Sequence, residues 1–220
     1  MRKIMRYIGI LIASLMILSV VQVLVLKFVP VTCTPLMLLR KVQAHKEGRT
    51  LILQKHWCPL SDISPALQKA VIASEDSHFY EHGGFSKDGL SRAWREQQEG
   101  IVRHGGSTIS QQTAKNVFCL PHRTYLRKAV EAYYTILIEL LWGKERILEV
   151  YLNVAETGDG IFGAEAAAQK YFHTTAYLLN RNQAALIAVC LPNPRKMSPA
   201  HPTPYICRRQ QTILKRMQMM

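Results

Sequence analysis

Cysteine is scarce in this 220-residue chain: Cys33, Cys58, Cys119, Cys190 and Cys207 are widely scattered, with no C-x-x-C among them. Five thiols cannot all pair within one chain, so core thiols are expected rather than a disulfide framework. The eight histidines offer no zinc-finger spacing and no H-E-x-x-H. The period-2 alternation of strands is almost missing, which argues against a sheet protein. Internal repeats and low-complexity segments are missing as well.

Acidic residues stop at Glu165, and residues 166–220 carry eight basic residues and no Asp or Glu. That absence bears on Gly158-Asp159-Gly160-Ile161-Phe162-Gly163, which spells the G-x-G-x-x-G of dinucleotide sites. Such a site needs a preceding strand and an acid about 20 residues later for the ribose. No acid follows, so the glycines are read as bending a loop before a helix over 164–172. No nucleotide cofactor is expected.

Charge is also absent from Tyr7 to Leu26, a run of 20 residues. It matches the ~20 residues needed to cross a bilayer. Arg2, Lys3 and Arg6 precede it, which by the positive-inside rule puts the N-terminus in the cytoplasm and the remainder outside. A cleaved signal peptide is the rival, but the run exceeds the usual ~7–15 apolar residues and no A-x-A site follows. The net charge of +13 would otherwise suggest nucleic acid. With an anchor in front, a basic tail more naturally meets anionic headgroups or an anionic substrate, and no nucleic acid is expected. The chain divides into a cytoplasmic N-terminus and anchor (1–29), a membrane-proximal segment (30–59) and one domain (60–220). Met37 to Lys41 has the composition of an interfacial piece.

Helix starts are marked by caps. Ser64-Pro65 opens one helix. Others begin near Thr108, Thr124, Lys144, Gly163 and Asn180, and a basic helix follows the proline-rich stretch Pro192 to Pro204. In the first, Leu67, Val71 and Ser74-Glu75 recur at helical spacing. Glu75 therefore continues an apolar stripe, an unusual place for an acid.

Two further segments have both a plain and a chemical reading. Thr108 with Gln111 three residues later is a capping box. A cap alone leaves Gly105, Gly106, Ser107, Gln112, Lys115 and Asn116 unexplained, and exposed amides at a glycine-rich helix start bind phosphate. Arg127 and Glu131 make an ordinary i,i+4 ion pair. With Lys128 they also offer two cations and an acid on one face, suited to a diphosphate and a proton. Two carboxylates, Glu75 and Glu131, fit glycosyl chemistry, and the cradle with the anchor suggests a sugar carried on a lipid diphosphate.

These motifs resemble a known family. Glu75-Asp76…Phe79…His82…Gly84, then Gly106-Ser107-Thr108-Ile109-Ser110-Gln111-Gln112…Lys115-Asn116, then Arg127-Lys128…Glu131 occur in order. Lys144…Ile147-Leu148-Glu149…Tyr151-Leu152-Asn153 and Gly160…Gly163…Ala167-Ala168…Tyr171-Phe172 follow. Over about residues 60–215 the chain resembles the monofunctional biosynthetic peptidoglycan transglycosylases, whose domain also opens the bifunctional penicillin-binding proteins.

The resemblance implies a mainly α, lysozyme-like two-lobed domain on a single transmembrane helix. It implies polymerisation of lipid II outside the cytoplasmic membrane, helped by a divalent cation, Mg or Mn. By position, Glu75 is implied as general base and Glu131 as second catalytic acid. Ser107, Thr108, Gln111, Gln112, Lys115, Asn116, Arg127 and Lys128 are implied as substrate contacts. Implied partners are lipid II, the nascent glycan strand, the membrane and cell-wall synthesis proteins. Ser86 stands where many members have Asp. A lysozyme-like glycan hydrolase and a non-catalytic anchored scaffold are the rival expectations; neither needs both acids and a diphosphate cradle.

Overall fold

The structure, a computed structural model, describes residues 2–86, 106–120 and 124–220. Helix α1 (Arg2–Phe28) is long and apolar enough to span a membrane. Helix α2 (Pro35–Lys46) follows after a short extended exit, its first turn capped by the hydroxyl of Thr34. The segment assigned by composition to the interface is thus a helix docked on the domain, with Met37 and Ala44 buried.

Ser64 caps α3 (Pro65–Glu75) with Pro65 in the first turn, and Leu67, Ala70, Val71, Ile72 and Ala73 are buried along it. Full burial of a side chain the size of Leu67 is worth about 1.5–3 kcal/mol. Helix α8 (Arg181–Cys190), started by a capping box of Asn180 and Gln183, packs against α3. Its buried Ala184, Ala185 and Ala188 leave room for the close approach of the two helices. Helix α9 (Pro204–Gln218) closes over both with Ile206, Ile213 and Met217.

Helix α4 (Ile109–Phe118) lies between α5 (Tyr125–Leu141) and α6 (Lys144–Val154). Seven residues of α6 are buried, from Ile147 to Val154 with only Glu149 spared, as expected of a helix at the centre of a core. Its Asn153 ties down the incoming chain, donating to the Cys58 carbonyl and accepting from the Cys58 amide, both at 2.8 Å.

The little sheet has the order β1–β3–β2, with β1 (Gln54–Lys55) parallel and β2 (Glu156–Gly158) antiparallel to β3 (Ile161–Phe162). Strand β1 ties the membrane-proximal segment into the domain's own sheet. The glycine run does turn the chain into α7 (Ala164–Phe172). Gly163 has φ +84°, and a Cβ there would sit 2.8 Å from the Asn153 carbonyl oxygen. All six of these helix starts expected from the sequence are present, four of them with a side-chain cap and those at Gly143 and Gly163 without one, and the architecture is the mainly α-helical, lysozyme-like one implied by the resemblance.

The anchor is packed onto the domain. The Trp142 indole donates to the Val23 carbonyl at 2.7 Å, and Arg146 donates to the carbonyls of Leu26 and Val29 at 2.8 and 2.7 Å. The hydroxyls of Ser19 and Tyr133 share a hydrogen bond of 2.7 Å. Cys58, Cys119 and Cys190 are buried thiols, while Cys33 and Cys207 are exposed and also free.

Candidate active site

Glu75 ends α3 just where the chain turns at Asp76. It is partly buried, and its Oε2 accepts from Gln112 Nε2 at 2.9 Å. Burial pushes its carboxyl above the usual carboxylate range, against the opposing pull of Gln112, Ser74, Arg209 and Lys115. Gln112 is itself held, its Oε1 accepting from the buried Tyr151 hydroxyl at 3.3 Å. Next door, the buried Asp76 binds His82 at 2.9 Å and accepts from the Ile109 amide at 3.0 Å. Helix α4 is therefore fastened to the end of α3 at two points, through its first amide and through Gln112.

Thr108 and Gln111 form the full capping box. The Thr108 hydroxyl donates to the Gly84 carbonyl at 2.6 Å, and both side chains are buried. Their polar groups are engaged within the fold. Ser107, Gln112 and Asn116 keep partial exposure, and Lys115 has exposed surface although protein atoms crowd its ammonium. Gly105 of the same motif lies outside the described residues.

Glu131 comes from the second turn of α5 and is only 2% exposed. Arg127 binds one of its oxygens at 2.5 Å and Lys128 binds the other. The ion pair expected from spacing is present and has a third member. Lys128 remains half exposed, so it can turn toward an anion without unpairing Arg127.

A cavity of about 420 Å³ joins these parts, with Gln112, Lys115, Asn116 and Arg127 on its wall. Lys115 lies within electrostatic reach of both Glu75 and Glu131, although desolvation by the surrounding protein is the larger effect and lowers its pKa. Glu75 reaches this cavity through Gln112, and Glu131 through Arg127. Cys119 also lines it, but burial pushes its thiol up to about 11, so no thiolate nucleophile is available near neutral pH. No group of three or more His, Cys, Asp or Glu side chains that could hold a metal exists among the described residues.

The structure adds residues that the motif reading left out. Asp76 and Tyr151 stood inside quoted motifs but without a role. Arg40 and Glu156 line the same cavity and have no local signal, being 116 positions apart. Arg209 acts electrostatically on Glu75 from α9, and only the basic character of that helix hinted at it.

Proteins of similar sequence are known. The family model described as Transglycosylase matches residues 44–218. A protein of Bdellovibrio bacteriovorus named biosynthetic peptidoglycan transglycosylase is 50% identical over 194 residues, 88% of this chain and 78% of that protein. Proteins of the same name from Pseudomonas syringae pv. syringae and Bacteroides thetaiotaomicron are 49% and 46% identical. Those matches cover 92% and 99% of this chain, and 86% and 88% of theirs. The chain belongs to the transglycosylase family.

Proposed function

We propose that the chain is a peptidoglycan glycosyltransferase that polymerises lipid II, held at the outer face of the cytoplasmic membrane by α1. The observation that carries this reading is a cavity lined by Lys115, Arg127 and Gln112, with Glu75 held by Gln112 on one side and Glu131 paired to Arg127 and Lys128 on the other. Glu75 accepts the proton of the 4-hydroxyl of lipid II's GlcNAc. Its raised pKa makes it a stronger base than a solvated carboxylate. The freed oxygen attacks C1 of the reducing-end MurNAc of the growing chain, the C1–O bond to diphosphate breaks, and the centre inverts from α to β. Undecaprenyl diphosphate leaves with the bonding pair.

Charge then develops on the diphosphate, where Lys115, Arg127 and Lys128 offer three cations against the single carboxylate of Glu131. Glu131 keeps Arg127 and Lys128 on the leaving-group side, and in that sense acts as the second acid of the site. A divalent cation bound with the substrate would add to the charge that Lys115, Arg127 and Lys128 offer the diphosphate. Partially exposed Ser107, Gln112 and Asn116 are placed to contact substrate. The engaged Thr108 and Gln111 contribute through the helix terminus they shape.

The test is lipid II supplied to the purified full chain in detergent or nanodiscs, with products separated by size. Long glycan strands and free undecaprenyl diphosphate are expected. Shortening of preformed strands with lipid II left intact would instead establish a hydrolase, and no reaction with either would overturn the polymerase reading.

A further inference from the structure

The cavity has one wall that no catalytic motif supplies. Leu36 and Arg40 of α2 line it together with Glu156 of β2. Arg40 precedes the residues matched by the family model, which begin at 44. A second cavity of about 550 Å³ adjoins the first, and Arg40 and Pro194 line both. The Arg40 side chain therefore stands where the two spaces meet.

Its geometry is well defined. Arg40 Nε donates to Glu156 Oε1 and Oε2 at 2.9 and 3.0 Å, and Nη2 donates to Oε2 at 2.6 Å. Nη1 donates to Gln43 at 2.9 Å. Glu156 is 8% exposed, and it accepts from Arg40 alone among the described residues. A guanidinium has five N–H groups. Three take these partners, which leaves two N–H groups for a ligand in the cavities that Arg40 lines, while the carboxylate keeps a lone pair for a hydroxyl. The buried Thr34, Met37 and Ala44 hold α2 in place, so the side chain is presented by a fixed helix.

We propose that Arg40 and Glu156 form a sugar-binding subsite, contributed across the cleft by the membrane-proximal helix, that positions the glycan chain beyond its diphosphate. This rests on the polymerase reading. The chemistry suits a neutral, oxygen-rich ligand. Two N–H donors meet hydroxyl or N-acetyl carbonyl oxygens, and a carboxylate already balanced by Arg40 accepts from a hydroxyl without a net charge to repel or attract the phosphates. Such a contact grips sugar and ignores lipid diphosphate.

The test compares two probes, lipid II and sugar-free undecaprenyl diphosphate, on the full chain in nanodiscs. Arg40→Lys keeps the charge and loses the planar fork. It is expected to weaken lipid II binding about tenfold, as loss of charge-assisted hydrogen bonds does, and to leave undecaprenyl diphosphate binding unchanged. Glu156→Gln should give the same selective loss. KM for lipid II should rise more than kcat falls. Equal weakening toward both probes, or none, overturns the subsite.

Hydrogen exchange on the wild-type chain tests it without any variant. Amides of residues 35–46 should gain protection with lipid II and not with undecaprenyl diphosphate. Equal protection by both, or by neither, would count against the subsite. A wild-type chain that does not polymerise lipid II refutes the functional reading itself. One that polymerises while both variants bind lipid II normally refutes only the subsite.

Discussion

The side-chain amide of Gln112 donates to the Glu75 carboxylate at 2.9 Å, so the candidate base is held by the helix that begins at the capping box. The first residues of α4 thus do two jobs. Thr108 and Gln111 complete the helix terminus, and Gln112, one position on, orients the acid of another helix.

Replacing Glu75 by Gln keeps shape and removes the acceptor for a proton. Turnover of lipid II should fall about 10²–10⁴-fold, while binding of undecaprenyl diphosphate persists, because Lys115, Arg127 and Lys128 are untouched. Polymerisation at the wild-type rate in this variant would remove Glu75 from the mechanism.

The same substitution should stabilise the fold at neutral pH. Burial raises the Glu75 pKa above its ordinary 4.5. Between the two values the folded chain binds more protons than the unfolded one, so this group's contribution to stability falls as pH rises through that window. Glu75→Gln should therefore melt higher than wild type at pH 7, with the gap closing below about pH 4. Thermal unfolding of the two proteins across pH decides it, and a lower melting point for the variant at pH 7 would contradict the sign.

Lys128 is half exposed, yet Arg127 alone still pairs Glu131 without it. An ordinary surface pair contributes ~0–1 kcal/mol, so Lys128→Ala should leave the melting point nearly unchanged and still lose most polymerase activity, with weaker diphosphate binding. Glu131→Gln should damage both stability and turnover, because it takes the charge partner from the largely buried Arg127 and frees Lys128 as well. Full activity in Lys128→Ala would return the residue to the protein surface.

Gly84 illustrates a motif glycine whose reason is steric. Its φ is +90°, and a Cβ would lie 2.8 Å from Thr135 Cγ2 and 2.9 Å from Glu139 Cγ. Glu139 cannot easily move, since it binds Ser110 at 2.5 Å and Lys144 at 2.7 Å. Gly84→Ala should cost about 2 kcal/mol or more and lower the apparent melting temperature by about 5 °C. An unchanged melting curve would mean that the loop is free to shift.

Local chemistry was legible in the sequence, and distant pairing was not. The starts of α3, α4, α5 and α8 follow from side chains that cap amides two or three residues away. The odd position of Glu75 could be read from one stripe of α3. Nothing local distinguishes Arg40 from any interfacial arginine, because its partner Glu156 is 116 residues on and reaches it only once β2 has paired with β3. The part of α2 in the cleft was missed for the same reason: burial of Met37 and Ala44 depends on a surface formed by elements that come later.

The joints between α1 and the domain, Trp142 to Val23 and Arg146 to Leu26 and Val29, make the anchor a mast rather than a leash. A leash would let the cleft wander over a range of heights and tilts above the lipid. A mast fixes both, so in the polymerase proposed above every diphosphate arriving by lateral diffusion meets the cations at one depth and one angle. The search for substrate is then two-dimensional, and the elongating strand has a constant direction in which to leave.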